Sequence, residues 1–365
     1  MATINDRLLD EAVGHAIDLS RYSTGVVRRL IATLNRADAR LTAALTEALM
    51  QLDRESFTVQ RLDALLQSVR GINAEAYGAL LKDLTTELSE YAGYEASYQV
   101  QAMRSTVPPA VQLFVPVQAV SSEQVYAASM SRPFQGRLLR DWATNLEESR
   151  LSLIRNAVRA GYVEGQATAD IVRRIRGTRA LNYADGLLDR ARREVEAVVR
   201  TALSHTAQTA RQVMTDANAD LVKAVRWHST LDSRTSPMCR VRDGLQYTAD
   251  DMHAPIGHKV PWGDGPGRIH FCCRSVSVPV LKSWRELGLD IDDMPPGTRA
   301  SMDGQVPADM TYGQWLAKQS AARQDEILGP ERARLLREGK TTFDKFTDDR
   351  GKWLTLDELR KRLGV

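Results

Sequence analysis

The chain has 365 residues, enough for two or three domains and at least one sizeable hydrophobic core. Its formal net charge is only +3, so it lacks the strongly basic character of a protein that binds polyanions over its whole surface, and any contact with nucleic acid has to be local. No apolar run approaches the roughly 18 residues of a membrane span, and the first residues lack a signal-peptide pattern, which predicts a cytosolic product with no membrane partner.

Residues 1–105 are predicted to form an N-terminal helical bundle or hairpin. No proline occurs before Pro108, and apolar residues recur at helical spacing from Leu8 to about Tyr98, with a break expected at residues 54–56. Ordinary core packing is the preferred explanation of the most regular part, and a surface for a partner is the alternative. This part, the leucine stripe, consists of Leu30, Leu34, Leu41, Leu45 and Leu52.

Residues 106–120 are predicted to form an extended connector, because a pair of prolines breaks the helical pattern and β-branched residues follow. A second, central helical region is predicted over residues 121–225, with Ser121 as the N-cap of its first helix. Within this region one helix should end at Gly161, and residues 165–170 should form the turn into a short helix.

The central region is locally basic, because twelve arginines stand against six acidic residues from Arg150 to Arg211, where every cationic side chain is an arginine. The planar guanidinium group suits phosphates as well as the carboxylates of a protein partner. A solvated helix face with intrahelical ion pairs explains the pattern equally well. The candidate contacts to a protein partner or to DNA are Arg173, Arg174, Arg176, Arg192 and Arg193.

Residues 226–282 are predicted to form a compact, turn-rich module with short antiparallel strands that appear only after Trp227, because long periodic runs stop there. Three cysteines in the whole chain argue against a disulfide framework, and a reducing compartment would keep them as thiols or metal ligands. The module concentrates the candidate ligands, which are Cys239, Cys272 and Cys273 with His228, His253, His258 and His270.

A zinc site is one interpretation of these residues, since thiolate and imidazole at such spacings can converge on one ion. Its ligands would be Cys239, His270 and Cys273, with Cys272, His253 or His258 as the fourth. The preferred interpretation has no cofactor: Asp232, Arg234 and His270 form a buried polar network, and the cysteines are small core residues. In that network Asp232 accepts backbone N–H bonds, while the Arg234 guanidinium holds a neighbouring loop.

Residues 283–365 are predicted to form a C-terminal tail with short helices, including an amphipathic one from Tyr312 to Leu328 and another that starts at Leu354. A Pro-Pro-Gly break stands at residues 295–297. The tail is too short and too charged for an obvious catalytic domain. Together the elements predict a mainly α protein with a small α+β module.

The order of motif residues in the module carries a family resemblance. A tryptophan is followed by Asp-x-Arg-Thr, a cysteine, an Asp-Gly pair and finally His-x-x-Cys-Arg before a likely strand. This resembles the Mu F-like family of phage head-morphogenesis proteins, from about Ser121 onward. Many members have two more cysteines, where this chain has Ser236 and Ser275. The motif residues are Trp227, Asp232, Arg234, Thr235, Cys239, Asp243, Gly244, His270, Cys273 and Arg274.

The resemblance implies a structural minor head protein of a tailed bacteriophage. Such a protein joins the procapsid in the host cytoplasm and stays in the virion, inside the capsid. Its partners would be the portal protein and/or the major capsid protein, with packaged DNA as a further contact. Its role would lie in head assembly at or near the portal, and it could extend to DNA packaging, retention or ejection. An internal DNA-binding protein that is ejected with the genome is the alternative.

An enzyme with a small-molecule substrate is not expected. The chain lacks His-Glu-x-x-His, a Walker loop, Gly-x-Ser-x-Gly and Gly-x-Gly-x-x-Gly, the commonest hydrolase, NTPase and dinucleotide signatures. A metal-dependent nuclease built on His270, Asp243 and Asp264 is the least favoured alternative, because such sets arise by chance in loop-rich modules.

Overall fold

The computed structural model describes residues 4–51, 58–289, 298–307 and 309–364. Its helices are α1 (Ile4–Met50), α2 (Val59–Leu65), α3 (Gln67–Thr106), α4 (Pro109–Gln112), α5 (Ser122–Ser131), α6 (Leu139–Val163), α7 (Thr168–Arg176), α8 (Leu187–Ala217), α9 (Pro237–Arg240), α10 (Tyr312–Ala317), α11 (Ala321–Leu328), α12 (Pro330–Arg337) and α13 (Leu356–Leu363). Its strands are β1 (Val222–His228), β2 (Gln246–Tyr247), β3 (Pro255–Ile256), β4 (Val276–Leu281), β5 (Thr298–Ser301) and β6 (Gly304–Pro307). The predicted breaks at residues 54–56 and 295–297, and Leu52 of the leucine stripe, lie outside the described residues. Among the described helices, none is both long enough and apolar enough to span a membrane.

The predicted fold class is confirmed: the chain is mainly α with a small antiparallel sheet. The chain divides into two compact units. The helical unit contains Arg21–Glu90 and Met130–Leu203, and the sheet unit contains Met1–Ser20, Tyr91–Ser129 and Ser204–Val365. Each unit thus combines distant segments, and the division into consecutive domains stays a sequence-based prediction.

The leucine stripe lies in the core of the helical unit. Leu34 and Leu41 are 1% and 0% exposed, and Leu30 and Leu45 are buried as well. Leu41 and Leu45 pack in one cluster with residues of α6 and α7, including Ile154. Core packing therefore explains the stripe, and its described leucines offer no surface to a partner.

The connection between α6 and α7 depends on a glycine inside a helix. Helix α6 continues to Val163, two residues beyond the predicted end, and residue 161 lies within it. Gly161 is buried, and a Cβ atom there would lie 2.6 Å from Cγ1 of Ile171 in α7. The absence of a side chain lets the two helices approach closely.

The predicted start of the second helical region is confirmed, whereas the extended connector is corrected. Ser121 Oγ accepts a hydrogen bond from the Gln124 N–H, and Gln124 Oε1 accepts one from the Ser121 N–H, so the pair forms a capping box. The predicted connector, however, contains the end of α3 and the four residues of α4. Pro109 stands in the first turn of α4, where its missing N–H costs no helical hydrogen bond.

The main sheet has the strand order β3-β2-β1-β4, and all neighbours are antiparallel. Strand β1 starts at Val222 and contains Trp227, so the expectation that strands appear only after Trp227 was wrong. The reason is that β1 is buried on both faces. Its buried and exposed residues therefore do not alternate strictly, and strict alternation is the pattern that separates a strand from a helix.

The sheet unit has two cores that matter for the site. The first joins the sheet to helical residues such as Leu8, Val100 and Met214. The second contains Leu231, from the loop after β1, together with Trp315 and other apolar residues of α10 to α13 in the tail. The tail is thus packed against the loops that carry the motif residues.

Candidate functional site

The facing ends of β1 and β4 position the site. His228, the last residue of β1, pairs with Val276, the first residue of β4. In an antiparallel pair, the loop after one strand and the loop before its neighbour leave the sheet at the same place. Cys239 lies beyond β1 and Cys273 lies just before β4, so the fold brings these distant cysteines together.

Helix α9 holds Cys239 in its place. Ser236 is the N-cap, and its Oγ accepts a hydrogen bond from the Cys239 N–H at 3.3 Å. Pro237 follows in the first turn, where a residue without an N–H is tolerated. The Cys239 side chain is buried, with the residue only 2% exposed.

Cys239, His270 and Cys273 form a cysteine–histidine cluster. Sγ of Cys239 lies 3.2 Å from Nε2 of His270 and 3.6 Å from Sγ of Cys273. One ligand atom from each of the three residues fits within 4.8 Å of the other two. Because the cysteines stand where the family motif pairs them, the close approach follows from the resemblance, and it makes a metal site or a thiol contact chemically possible.

Serines line the cluster where many family members have further cysteines. Ser236 Oγ lies 2.8 Å from Nε2 of His270. Ser275 Oγ lies 3.2 Å from Oγ of Ser229, which in turn donates a hydrogen bond to the Cys239 carbonyl oxygen at 2.8 Å. Both replacements therefore keep a polar oxygen at the site in place of a sulfur atom.

The cluster divides its charge unequally. A hydrogen bond from Cys273 lowers the pKa of Cys239, and although burial opposes this shift, His270 and the serines add to it. Burial and the neighbouring Cys239 raise the pKa of Cys273. Burial lowers the pKa of His270, but the hydrogen bond and charge of Cys239 outweigh it, so the pKa is raised overall. These shifts favour the thiolate of Cys239 and the neutral thiol of Cys273.

The other candidate ligands lie outside the cluster. Nδ1 of His253 contacts the Asp250 carbonyl oxygen, and the ring packs against Trp262 in a T-shaped arrangement. His258 contacts the Gln246 carbonyl oxygen through Nε2. Cys272 is exposed, with a positive φ of 57° that turns it away from the conformation of its neighbours. A fourth ligand from these three residues, considered from the sequence, has no support in this geometry.

Asp232 is held by a different arginine from the one expected. It accepts the Arg234 backbone N–H at 3.1 Å, as predicted, but its carboxylate pairs with both terminal nitrogens of Arg274 at 2.6 and 2.8 Å. The Arg234 side chain is 80% exposed, with Nε 3.8 Å from the carboxylate. Thr235 completes the turn through Oγ1, 3.0 Å from Asp232. The predicted network of Asp232, Arg234 and His270 was therefore wrong in its partners.

Asp243 joins the loop after β1 to the tail. Its Oδ1 accepts the Ser229 N–H at 2.8 Å, and its Oδ2 accepts the Tyr312 N–H at 2.7 Å. The next residue, Gly244, has a φ of 82° and donates its N–H to the Trp227 carbonyl oxygen at 2.8 Å. A residue with a side chain would be strained in that conformation. The Asp-Gly pair is thus a structural turn.

Trp227 and two buried arginines complete the packing around the cluster. Trp227 is fully buried, with Nε1 3.1 Å from Ser229 Oγ. Arg240 donates to the Ile327 carbonyl oxygen at 2.8 Å, and Arg242 donates to the Pro261 carbonyl oxygen at 3.0 Å. Both arginines were missed from the sequence, although two arginines just before a predicted Asp-Gly turn were a usable signal.

The constellation proposed for a nuclease is not assembled in the described residues. Asp243 directs both carboxylate oxygens to backbone N–H groups, and His270 faces the cysteines. Neither Asp243 nor Asp264 belongs to the ligand cluster. The three residues therefore have separate environments.

The arginines predicted to contact a partner differ in their exposure. Arg173, Arg174 and Arg176 lie on the exposed face of α7, and we call them the α7 arginine face. Arg193 is 69% exposed and pairs with Asp189 within α8. Arg192 instead lies largely buried against Asp38, so it is unsuited to contact a partner.

Residues 152–278 match the family model described as Phage Mu protein F like protein. The resemblance to the Mu F-like family is confirmed. The Mu F-like segment begins within α6 and ends within β4, and it contains α7 as well as the cysteine–histidine cluster. No curated protein and no solved structure matches the chain.

Proposed function

We propose that this chain is a structural minor head protein of a tailed bacteriophage, which acts in head assembly at or near the portal. The match of the Mu F-like segment carries the proposal. In this account the protein resides in the virion, inside the capsid. A role in packaging, retaining or ejecting DNA is part of the same proposal.

The chemistry of the motif residues supports a structural role over turnover. The motif has two acidic residues, and both accept hydrogen bonds from backbone N–H groups. Asp232 accepts one from Arg234 and forms an ion pair with Arg274, and Asp243 accepts two. A carboxylate whose oxygens are engaged in this way is poorly placed to act as a general base or to hold a catalytic metal. The motif therefore serves to maintain the loops, and contacts with partners have to come from other surfaces.

The α7 arginine face is the surface that we assign to a partner. Arg173 and Arg174 are 64% and 42% exposed, and each pairs with an exposed acidic neighbour, Asp170 and Glu164 respectively. Exposed pairs of this kind contribute about 0–1 kcal/mol each, so exchanging them for a partner's carboxylates costs little. We assign the partner as an acidic surface of the portal protein.

The test is a binding assay between the purified chain and the portal protein of the same phage genome. Replacing Arg173 and Arg174 with glutamate should spare the fold and weaken binding, and higher salt should weaken wild-type binding too. The matched control replaces Arg334 and Arg360 with glutamate as well; these two side chains are 52% and 49% exposed, and both contact Glu331. This control makes the same change in net charge and should bind the portal protein as wild type does.

Three results would count against the proposal. Equal binding by both double variants would remove the assignment of the α7 arginine face. Binding of the wild type to DNA, but to no head protein, would favour the ejected DNA-binding protein instead. Binding to neither would contradict the proposed function itself.

A further inference from the structure

We propose that Cys239, His270 and Cys273 bind a structural zinc ion, with the fourth coordination position at the Ser236 hydroxyl. The inference rests on the geometry of the cluster and does not depend on the proposed function in the phage head. Four features carry it: the separations of the ligand atoms, the orientation of the imidazole, the charge of the site and its access to solvent.

The separations suit a tetrahedral zinc ion. With Zn–S bonds of about 2.3 Å and Zn–N bonds of about 2.0 Å, ligand atoms at neighbouring corners lie about 3.8 Å apart for two sulfurs and about 3.6 Å apart for sulfur and nitrogen. The observed distances are 3.6 Å between the sulfurs and 3.2 Å from Cys239 Sγ to His270 Nε2. The ligand atoms need to move apart by only a few tenths of an ångström to reach the ideal tetrahedral separations, roughly the difference between the two sets of distances.

The imidazole of His270 has the orientation of a metal ligand. Its Nδ1 lies 2.8 Å from the Phe271 carbonyl oxygen. A carbonyl oxygen can only accept, so Nδ1 carries the proton and donates it. In the neutral ring, Nε2 is then the unprotonated nitrogen, and it is the atom that faces the two cysteines. A backbone carbonyl that fixes the tautomer in this way is a regular feature around zinc-bound histidines.

The charges of the site match a buried dication. Cys239 and Cys273 are 2% and 1% exposed, so two thiolates could not remain there uncompensated. One zinc ion neutralises both of them when they bind it as thiolates. The hydroxyl of Ser236, 2.8 Å from Nε2 of His270, adds a neutral oxygen ligand without changing this balance.

The cluster is also accessible to an ion. His270 is only half-buried, and the next two residues, Phe271 and Cys272, are exposed. The ion therefore has a route from solvent on the His270 side, while the two sulfurs lie on the buried side. Once bound, it would join the loop after β1 to the loop before β4.

The first experiment measures zinc in the full chain, produced without a histidine tag in zinc-supplemented medium and kept under a phosphine reductant. We expect about one zinc ion per chain by mass spectrometry of the metal content. Cys239→Ser and Cys273→Ser should lose the ion. The matched control is Cys272→Ser, because residue 272 neighbours a ligand but lies outside the cluster, and it should keep the ion.

The second experiment measures zinc affinity by competition with a chromophoric chelator. His270→Asn should weaken binding by more than about 100-fold, since loss of a ligand exceeds the 10- to 100-fold effect of losing an outer hydrogen-bond partner. Ser236→Cys should strengthen binding on the order of tenfold, because a thiolate is a better zinc ligand than a hydroxyl. This gain of affinity tests the site even if a cysteine variant fails to fold.

The proposal is overturned if the reduced wild-type chain holds no zinc and takes up none from ZnCl2. It is also overturned if Cys272→Ser loses zinc as fully as Cys273→Ser, or if the double variant of Cys239 and Cys273 retains it. A Ser236→Cys variant with unchanged affinity would remove Ser236 from the site.

Discussion

Asp243 should stabilise the sheet unit through two backbone hydrogen bonds, to the N–H groups of Ser229 and Tyr312. Both bonds are buried, so a lost acceptor leaves an N–H group without water to replace it. Each such group costs about 1–3 kcal/mol. Asp243→Ala removes both acceptors and should lower the free energy of unfolding by about 2–6 kcal/mol. Asp243→Asn keeps one oxygen and should cost about half as much.

The assay is urea unfolding followed by tryptophan fluorescence. The signal reports mainly on the sheet unit, because five of the six tryptophans belong to it and only Trp142 lies in the helical unit. With a slope of about 2–3 kcal/mol per molar urea, the loss of about 1–3 kcal/mol in Asp243→Asn should lower the midpoint by roughly 0.3–1.5 M. The tryptophans of the sheet unit are Trp227, Trp262, Trp284, Trp315 and Trp353.

Asp264→Asn is the matched control, because this exposed aspartate lies in the same module and undergoes the same chemical change. It should unfold within about 0.5 kcal/mol of the wild type. If Asp243→Asn were equally neutral, the two hydrogen bonds would not hold the tail to the loop after β1. If both variants kept full stability but lost a metal-dependent cleavage of DNA, the nuclease interpretation would replace the structural one.

Two further changes test the packing and the ion pair. Gly161→Ala places a methyl group 2.6 Å from Ile171 and should destabilise the helical unit, since overpacking costs about 1–3 kcal/mol and the gain in helix propensity is about 1 kcal/mol. The control is Gly78→Ala, whose Cβ meets nothing within 4 Å and which should stabilise the same unit. Circular dichroism during denaturation measures both effects. Burial raises the pKa of Asp232, but Arg274 outweighs it and holds that pKa below its ordinary value. The stability from this pair is therefore complete above about pH 4 and is lost as the pH falls through the lowered pKa. In Asp232→Asn, the free energy of unfolding should fall less steeply with decreasing pH than in the wild type. The same acid dependence in both proteins would contradict the pairing.

The helical architecture was largely predictable because its signal is long. The leucine stripe extends over several turns, and a period sustained over that length has few explanations other than a buried helix face. The short elements were not predictable in the same way. Helix α4 has four residues, too few for a period to develop, and β1 is buried on both faces.

The site was predictable where the sequence motif itself specified the pairing. Cys239 and Cys273 were expected to be neighbours from the family pattern, and their Sγ atoms lie 3.6 Å apart. The partner of Asp232 was not predictable from local spacing. Arg234 is close in sequence, but Arg274 is brought to the carboxylate by the register of β1 and β4, which pairs His228 with Val276. Long-range pairing of this kind depends on register, which local sequence does not reveal.

The protein composition of purified phage heads tests the central claim most directly. Heads should be prepared from the phage that encodes this chain, separated from unassembled protein on a density gradient, and analysed by quantitative mass spectrometry. The account predicts that the chain sediments with the heads together with the portal protein, in far fewer copies than the major capsid protein. A chain found only among the unassembled proteins, with heads that form and fill normally when its gene is deleted, would contradict it.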